Sequence, residues 1–348
     1  MDKIFETSKV IPTVNIDKDD NNKNDDNSNN KVHARKDKTN VSLTVKNLPW
    51  IESVKKVNKA IGNSRIFGKQ EDEVLFCISI DGSDDSEYAF QTIVDDYFVS
   101  NVKLLCVYIF NSKQDSHFNY KNRKTTIVDK YSMKMKSFLT KCHFIVEDRV
   151  NNNHFLEQTL MLAENYLANF FVMGYDGLKG PRGDLKELNI GLSYLLTSSK
   201  SPTIIIKEQT IREKKKDKAL RFLIILDKFY SNSYRVFNWF LPMINCETDT
   251  VDFLEVYPEL GSKDERDWKE MMESIAEKNG LASFSYDKVA YGKTGFGKYV
   301  IQLVNFGKTP YDYVIFYNIP SKHKLDIENS ESMDIVISCK SNIGFVNN

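Results

Sequence analysis

The sequence predicts an α/β fold built twice, as two open parallel sheets in tandem, each flanked by helices. Three observations predict it. Short, wholly apolar segments stopped by turn residues, such as Val74 to Ile80 before Asp81-Gly82-Ser83, read as strands buried on both faces. Between them lie stretches with apolar residues at helical spacing, and strict alternation of the two implies parallel pairing through right-handed crossovers. The whole series then recurs after roughly 125 residues, as an internal repeat.

Taken in order, strand Val74 to Ile80 leads to a helix that Ser83 caps, with Asp84, Asp85 and Glu87 in its first turn. Ala89, Phe90, Ile93, Val94, Tyr97 and Phe98 follow at helical spacing. Strand Val102 to Phe110 precedes a helix from about Thr125 to Cys142. Strand Phe144 to Glu147 precedes helix Phe155 to Ala168, with Leu156, Leu160, Ala163 and Leu167 toward a core. Strand Phe170 to Met173 opens a glycine-rich loop, a short helix covers Ile190 to Thr197, and Pro202 introduces strand Thr203 to Lys207. In the second series the segments are strand Phe222 to Leu226 ending in Asp227, a polar turn with Ser231 and Ser233, and a helix carrying Val236, Phe237, Phe240, Leu241 and Ile244. Strand Val251 to Tyr257, helix Asp267 to Lys278, strand Ala282 to Val289, helix Phe296 to Phe306 and strands Tyr313 to Tyr317 and Met333 to Ser338 complete it. The copies differ in one loop: 29 residues with five glycines separate Met173 from Thr203, but 15 with none separate Tyr317 from Met333.

Residues 1–40, dominated by Asp, Asn, Lys and Ser, are expected to be disordered, and 41–73 to form a partly ordered arm. The first domain then covers 74–208, a charged linker 209–219, and a second, degenerate domain 220–348. Lys and Arg (48) balance Asp and Glu (48), so no global field favours nucleic acid or an anionic membrane. No apolar run approaches the roughly 18 to 20 residues of a membrane span. Five scattered cysteines suggest neither a disulfide framework nor a zinc site, and no secretory signal is visible, so a soluble cytoplasmic protein is expected, a nuclear setting not being excluded.

The strand ending Ile80-Asp81-Gly82-Ser83 with Ser86 beyond it, the segment Phe170-Phe171-Val172-Met173-Gly174-Tyr175-Asp176-Gly177, and the closing Ser201-Pro202-Thr203-Ile204-Ile205-Ile206 together resemble the universal stress protein family. The resemblance is clear over about 135 residues and faint over the following 120 or so. It implies two five-stranded parallel sheets arranged as an intramolecular pseudo-dimer, paired through their last strands. It implies an adenine nucleotide, ATP or another, with or without Mg, held in the first domain for stress sensing or signalling, with at most slow hydrolysis. Carried over by position, Asp81, Gly82 and Ser83 meet the adenosine side, Val107 meets adenine through its backbone, and Gly174 and Gly177 admit phosphate to backbone N–H groups. The family's loop, G-x2-G-x9-G-[ST], has thirteen residues here between Gly177 and Gly191. Two registrations follow. One puts Asn189 at the last glycine position with Ile190 at the hydroxyl; the other uses Gly191 and Ser193. Lys179, Arg182 and Lys186 supply charge in the same region. Small residues there permit close backbone approach, and a helix N-terminus favours an anion.

Two other readings stand beside it. One is a scaffold of the same fold that binds no nucleotide and recruits a protein partner or a second copy; the other is an ATP-pyrophosphatase-type enzyme, since Gly82, Asp85 and Ser86 match part of an SGGxDS loop. The bland reading of those residues, an acid-rich helix cap, explains them all. The five histidines are isolated, and no Ser or Cys has an identifiable base, so no catalytic residue is assigned. Gly292, Gly295 and Gly297 read as a turn.

Overall fold

The computed structural model of the chain describes residues 73–98, 101–113, 123–136, 141–150, 154–175, 185–207, 219–227, 233–257, 268–290, 295–318 and 330–347. The arm through residue 72 and linker residues 208–218 lie outside them. The described residues all belong to one compact unit.

The strands are β1 (Val74–Ile80), β2 (Val102–Phe110), β3 (Cys142–Asp148), β4 (Phe170–Gly174) and β5 (Thr203–Ile206), then β6 (Arg221–Asp227), β7 (Thr250–Tyr257), β8 (Ser283–Ala290), β9 (Tyr313–Asn318) and β10 (Asn342–Asn347). They form a single ten-stranded sheet in the order β3-β2-β1-β4-β5-β10-β9-β6-β7-β8. Each half thus has the same internal order, and every pairing within a half is parallel. The predicted two five-stranded sheets are joined edge to edge, because β5 and β10 pair antiparallel, Ile343 opposite Ile205 and Phe345 opposite Thr203.

The first half carries helices α1 (Asp84–Tyr97), α2 (Lys124–Met135), α3 (Phe155–Asn165) and α4 (Leu185–Ser198). In the second, a 3-10 turn (Ser233–Arg235), the short α5 (Val236–Phe240) and another 3-10 turn (Leu241–Met243) stand where α1 stands in the first. They are followed by α6 (Trp268–Lys278), α7 (Phe296–Phe306) and α8 (Glu331–Ser338). All seven side chains of β1 are buried, as its unbroken apolar run requires. They alternate between two cores. Phe76 and Ile78 meet Phe90, Ile93 and Tyr131 on one face, in a cluster that continues through Phe222, Phe237 and Trp268. Leu75 and Cys77 meet Leu156 and Leu195 on the other, continuing through Leu223, Val300 and Ile335. Both cores therefore run unbroken from one half into the other. Burial of each large apolar side chain contributes about 1.5–3 kcal/mol.

Several boundaries differ from expectation. Met333 to Ser338 is not the last strand but most of α8, capped by Ser330, whose hydroxyl accepts from the Met333 N–H at 3.2 Å. The strand that meets β5 is Asn342–Asn347. Ile335, Val336 and Ile337 form an apolar run that reads as a strand, but Met333, Ile335 and Val336 bury the same helical stripe. A signal in the sequence marks the correct register: Ser199-Lys200-Ser201 before β5 is echoed by Cys339-Lys340-Ser341 before β10. Cys142 opens β3 and does not end α2, which stops at Met135.

The seam carries a reciprocal exchange of helix caps. The equivalence of the halves follows from register: β1 Ile78 pairs with Val172, β6 Ile224 with Ile315, Gly174 with Ile206 and Tyr317 with Val346. Tyr175 and Lys207 therefore correspond to Asn318 and Asn347. The Tyr175 hydroxyl donates to the Ile337 carbonyl at 3.2 Å, and Lys207 Nζ donates to the Ile337 and Cys339 carbonyls at 3.3 and 2.6 Å, closing the C-terminus of α8. Asn318 Nδ2 donates to Leu196 O at 2.7 Å, and Asn347 Nδ2 to Leu195 O and Ser199 O at 2.9 Å, closing α4. Each half supplies donors to last-turn carbonyls of the other's last helix.

Candidate functional site

In an open α/β sheet, ligands enter where neighbouring strands send their chains to opposite faces. In the first half this switch point lies between β1, which leads to α1 on one face, and β4, which leads to α4 on the other. Gly82 follows β1 with φ +85°, a left-handed conformation that favours glycine. This turn lets Asp81 fold back: its Oδ1 accepts from the Ser83 N–H at 2.9 Å and the Ser83 hydroxyl at 2.6 Å. Ser83 Oγ in turn accepts from the Ser86 N–H at 3.1 Å and caps α1. Across the crevice, a Cβ on Gly174 would lie 2.4 Å from the Asp85 carbonyl carbon. The bare backbone at the end of β4 is what allows the first turn of α1 to close down on it. Asp81, Gly82, Ser83 and Gly174 are thus brought to one place.

The other predicted residues are placed differently. Val107 is fully buried inside the sheet, opposite Ser79 on one side and Ile145 on the other, because β2 continues three residues further to Phe110. Gly177 lies outside the described residues, as do Lys179 and Arg182. Lys186 and Asn189 fall within α4, which begins at Leu185 and not near Ile190. Gly191 and Ser193 are also buried inside that helix. A Cβ on Gly191 would meet Leu156 Cδ1 at 3.1 Å and His154 Cε1 at 3.8 Å, so this glycine serves the contact between α4 and α3.

The second half makes the same contact with the small residues on the opposite helix. Gly295 and Gly297 of α7 correspond to His154 and Leu156, and Glu331 of α8 corresponds to Gly191. A Cβ on Gly297 would lie 3.0 Å from both Cβ and the carbonyl oxygen of Glu331, and one on Gly295 2.4 Å from its Oε1. The Glu331 carboxylate lies against the N-terminus of α7, a position that favours negative charge. Gly295, with φ +80°, is the N-cap there, which agrees with the turn read from sequence. At the register position of Gly174 the second half has Tyr317.

Burial pushes the thiols of Cys77, Cys106 and Cys246 up and that of Cys339 to about 12, so none of these is a ready thiolate. Among the described residues no three His, Cys, Asp or Glu side chains converge to hold a metal ion. The described part of the crevice carries the Asp81 carboxylate, the Ser83 hydroxyl and the N-terminus of α1, whose first turn also holds Asp84, Asp85 and Glu87.

No protein-family model matches the sequence, and no curated protein matches it. Solved structures do. A universal stress protein from Archaeoglobus fulgidus superposes with a TM-score of 0.52 at 15% identity, over 79% of this chain and 96% of that one. A hypothetical protein whose biochemical function was assigned from its structure covers 39% of this chain and 96% of its own, with 16% identity and a TM-score of 0.28. The cytoplasmic domain of a prokaryotic cation chloride cotransporter covers 79% and 95%, with 9% identity and a TM-score of 0.45. The fold of this chain is that of the universal stress proteins. Among its described residues no helix is long and apolar enough to cross a membrane.

Proposed function

We propose that this chain is a universal-stress-type regulatory protein whose first half holds an adenine nucleotide at the β1–β4 switch point. The second half acts as a built-in dimer partner with no nucleotide of its own. The observation that carries this reading is the approach of Gly174 to Asp85, which places the loop bearing Asp81 beside the chain leaving β4. Asp81 has a second carboxylate oxygen for a ribose hydroxyl, and the packing of Gly174 on Asp85 holds that carboxylate at the end of β4. At the same register position the second half has Tyr317, a bulky residue in place of glycine, which supports assigning the ligand to one half only.

Thermal unfolding of the full chain with millimolar Mg-ATP tests it, since a ligand bound only by the folded state stabilises by about 2.7 kcal/mol at a hundredfold excess over Kd. The expected result is a saturable rise in Tm. Asp81→Asn, which keeps an acceptor for Ser83, diminishes it, and Gly177→Val abolishes it. No shift with ATP, ADP or AMP sinks the reading. In that event the second reading stands, a scaffold that recruits a protein partner or a second copy. It is favoured by Val107 and Gly191, two assigned positions that are engaged in the sheet and in helix packing.

A further inference from the structure

We infer that helix α8 is a relay between the two halves, fastened at its C-terminus to the first-half crevice and at its N-terminus to the strand C-terminal end of the second half. The inference rests on the nucleotide reading above and names how occupancy of that site would be reported. Tyr175 directly follows Gly174, the residue packed against the first turn of α1, so the Tyr175 backbone cannot shift without disturbing the crevice. Its hydroxyl holds Ile337 O of α8 at 3.2 Å. Lys207, at the end of the neighbouring β5, places its ammonium 4.4 Å from the centre of the Tyr175 ring and donates to Ile337 O and Cys339 O. Its own backbone N–H donates to Asn342 Oδ1 at 2.8 Å, at the start of β10. A cation at a helix C-terminus interacts favourably with the dipole there.

At its other end α8 begins with Glu331, whose backbone and side chain fill the notch left by Gly295 and Gly297 at the start of α7. A rigid helix with one end on each ligand-side surface couples them if ordering at one end orders the other. The symmetric helix α4 is held by Asn318 and Asn347, neutral amides, in place of an aromatic and a cation. The relay is therefore directional in chemistry: the charged cap belongs to the crevice that has the bare Gly174. Ligand contacts at the ends of β1 and β4 restrict Tyr175, hold the cap in place and slow opening of the last turn of α8. By reciprocity, loosening that turn weakens ligand binding by the same factor.

Amide hydrogen exchange of the full chain, with and without saturating Mg-ATP, reads this directly. The Cys339 amide, bonded to Ile335 O at 3.0 Å, and its neighbours in the last turn are the reporters. Exchange there is expected to slow about tenfold on binding in the wild-type chain, the effect of 1.4 kcal/mol of extra protection. In Tyr175→Phe/Lys207→Met, exchange in this turn is already faster without ligand, and Mg-ATP raises Tm by less and no longer slows it. A wild-type chain whose Tm rises with Mg-ATP while the last turn of α8 is unmoved overturns the relay and leaves the nucleotide reading intact. Unchanged ligand-free exchange in the double variant overturns it as well. A chain with no Tm response to nucleotide loses both readings at once.

Discussion

The two halves of this molecule share a strand order and a register, but they solve the same packing problems with different residues. Where α1 meets the end of β4, the first half has Gly174, and α1 begins three residues after Asp81 as a regular fourteen-residue helix. The second half has Tyr317, and the described part of its equivalent segment is a 3-10 turn from Ser233, five α-helical residues and a second 3-10 turn containing Pro242. At the contact between the last two helices the glycine changes sides, from Gly191 on α4 to Gly297 on α7. Duplication preserves the contact and not the residue that makes it possible. A glycine therefore does not by itself mark a ligand loop; its neighbour decides.

The largest effect that would break this comparison is Gly174→Ala. Its Cβ meets the Asp85 backbone, which cannot yield as a side-chain tip would, so the cost is expected to be about 3 kcal/mol. A urea midpoint within error of wild type would remove Gly174 from its assigned role. Next comes a matched pair. Gly297→Ala is expected to destabilise by about 1–2 kcal/mol because Glu331 backbone atoms obstruct it, whereas Gly191→Ala meets only the end of the Leu156 side chain and gains about 1 kcal/mol of helix propensity. Opposite signs in the two halves support the swapped packing; equal signs refute it.

Asn347→Ala withdraws a donor from Ser199 O and from Leu195 O, which keeps the Ser199 N–H, and removes the acceptor of Asn318 Nδ2, so it should cost about 1 kcal/mol. Faster hydrogen exchange confined to the last turn of α4 checks that the loss is local. The smallest effect concerns pH. Burial raises the Glu87 carboxyl, but its bonds to Lys130 and Lys134 outweigh this and leave it below its ordinary value of 4.5. A carboxylate lowered on folding contributes stability above its unfolded value, which is lost as pH falls through the folded one. The pair is partly exposed, so about 0.5 kcal/mol is at stake. Stability measured below pH 4.5 should fall less steeply in Glu87→Gln. In the second half the corresponding elements meet through the Tyr234 and Trp268 rings, 6.3 Å apart, a contact without a carboxylate.

The fold was legible because strand burial and helix amphipathicity are local patterns. The apolar run of β1, the stripe Ala89, Phe90 and Ile93, and the Ser83 cap each declare themselves within a few residues. The duplication was legible for the same reason. Met333 to Ser338 misled because a short apolar run satisfies a strand and a buried helix equally, and only packing on α7 and the Ser330 cap separate the two. Of the candidate site, Asp81, Gly82 and Ser83 could be read because the turn, acid and cap are contiguous. Val107, Gly191 and Ser193 could not be placed, since β2 runs on to Phe110 in its pairing with β3 and Gly191 lies in α4 against Leu156 of α3.

By itself, then, the sequence determined the alternation of elements, their doubling and the chemistry at the end of β1, all consequences of short-range periodicity and backbone preference. The tertiary structure alone decided that the two sheets become one, that Tyr175 and Lys207 cap a helix some 130 to 160 residues away, and that Gly191 serves packing. Those outcomes depend on which surfaces meet across the seam, and no local pattern carries that information.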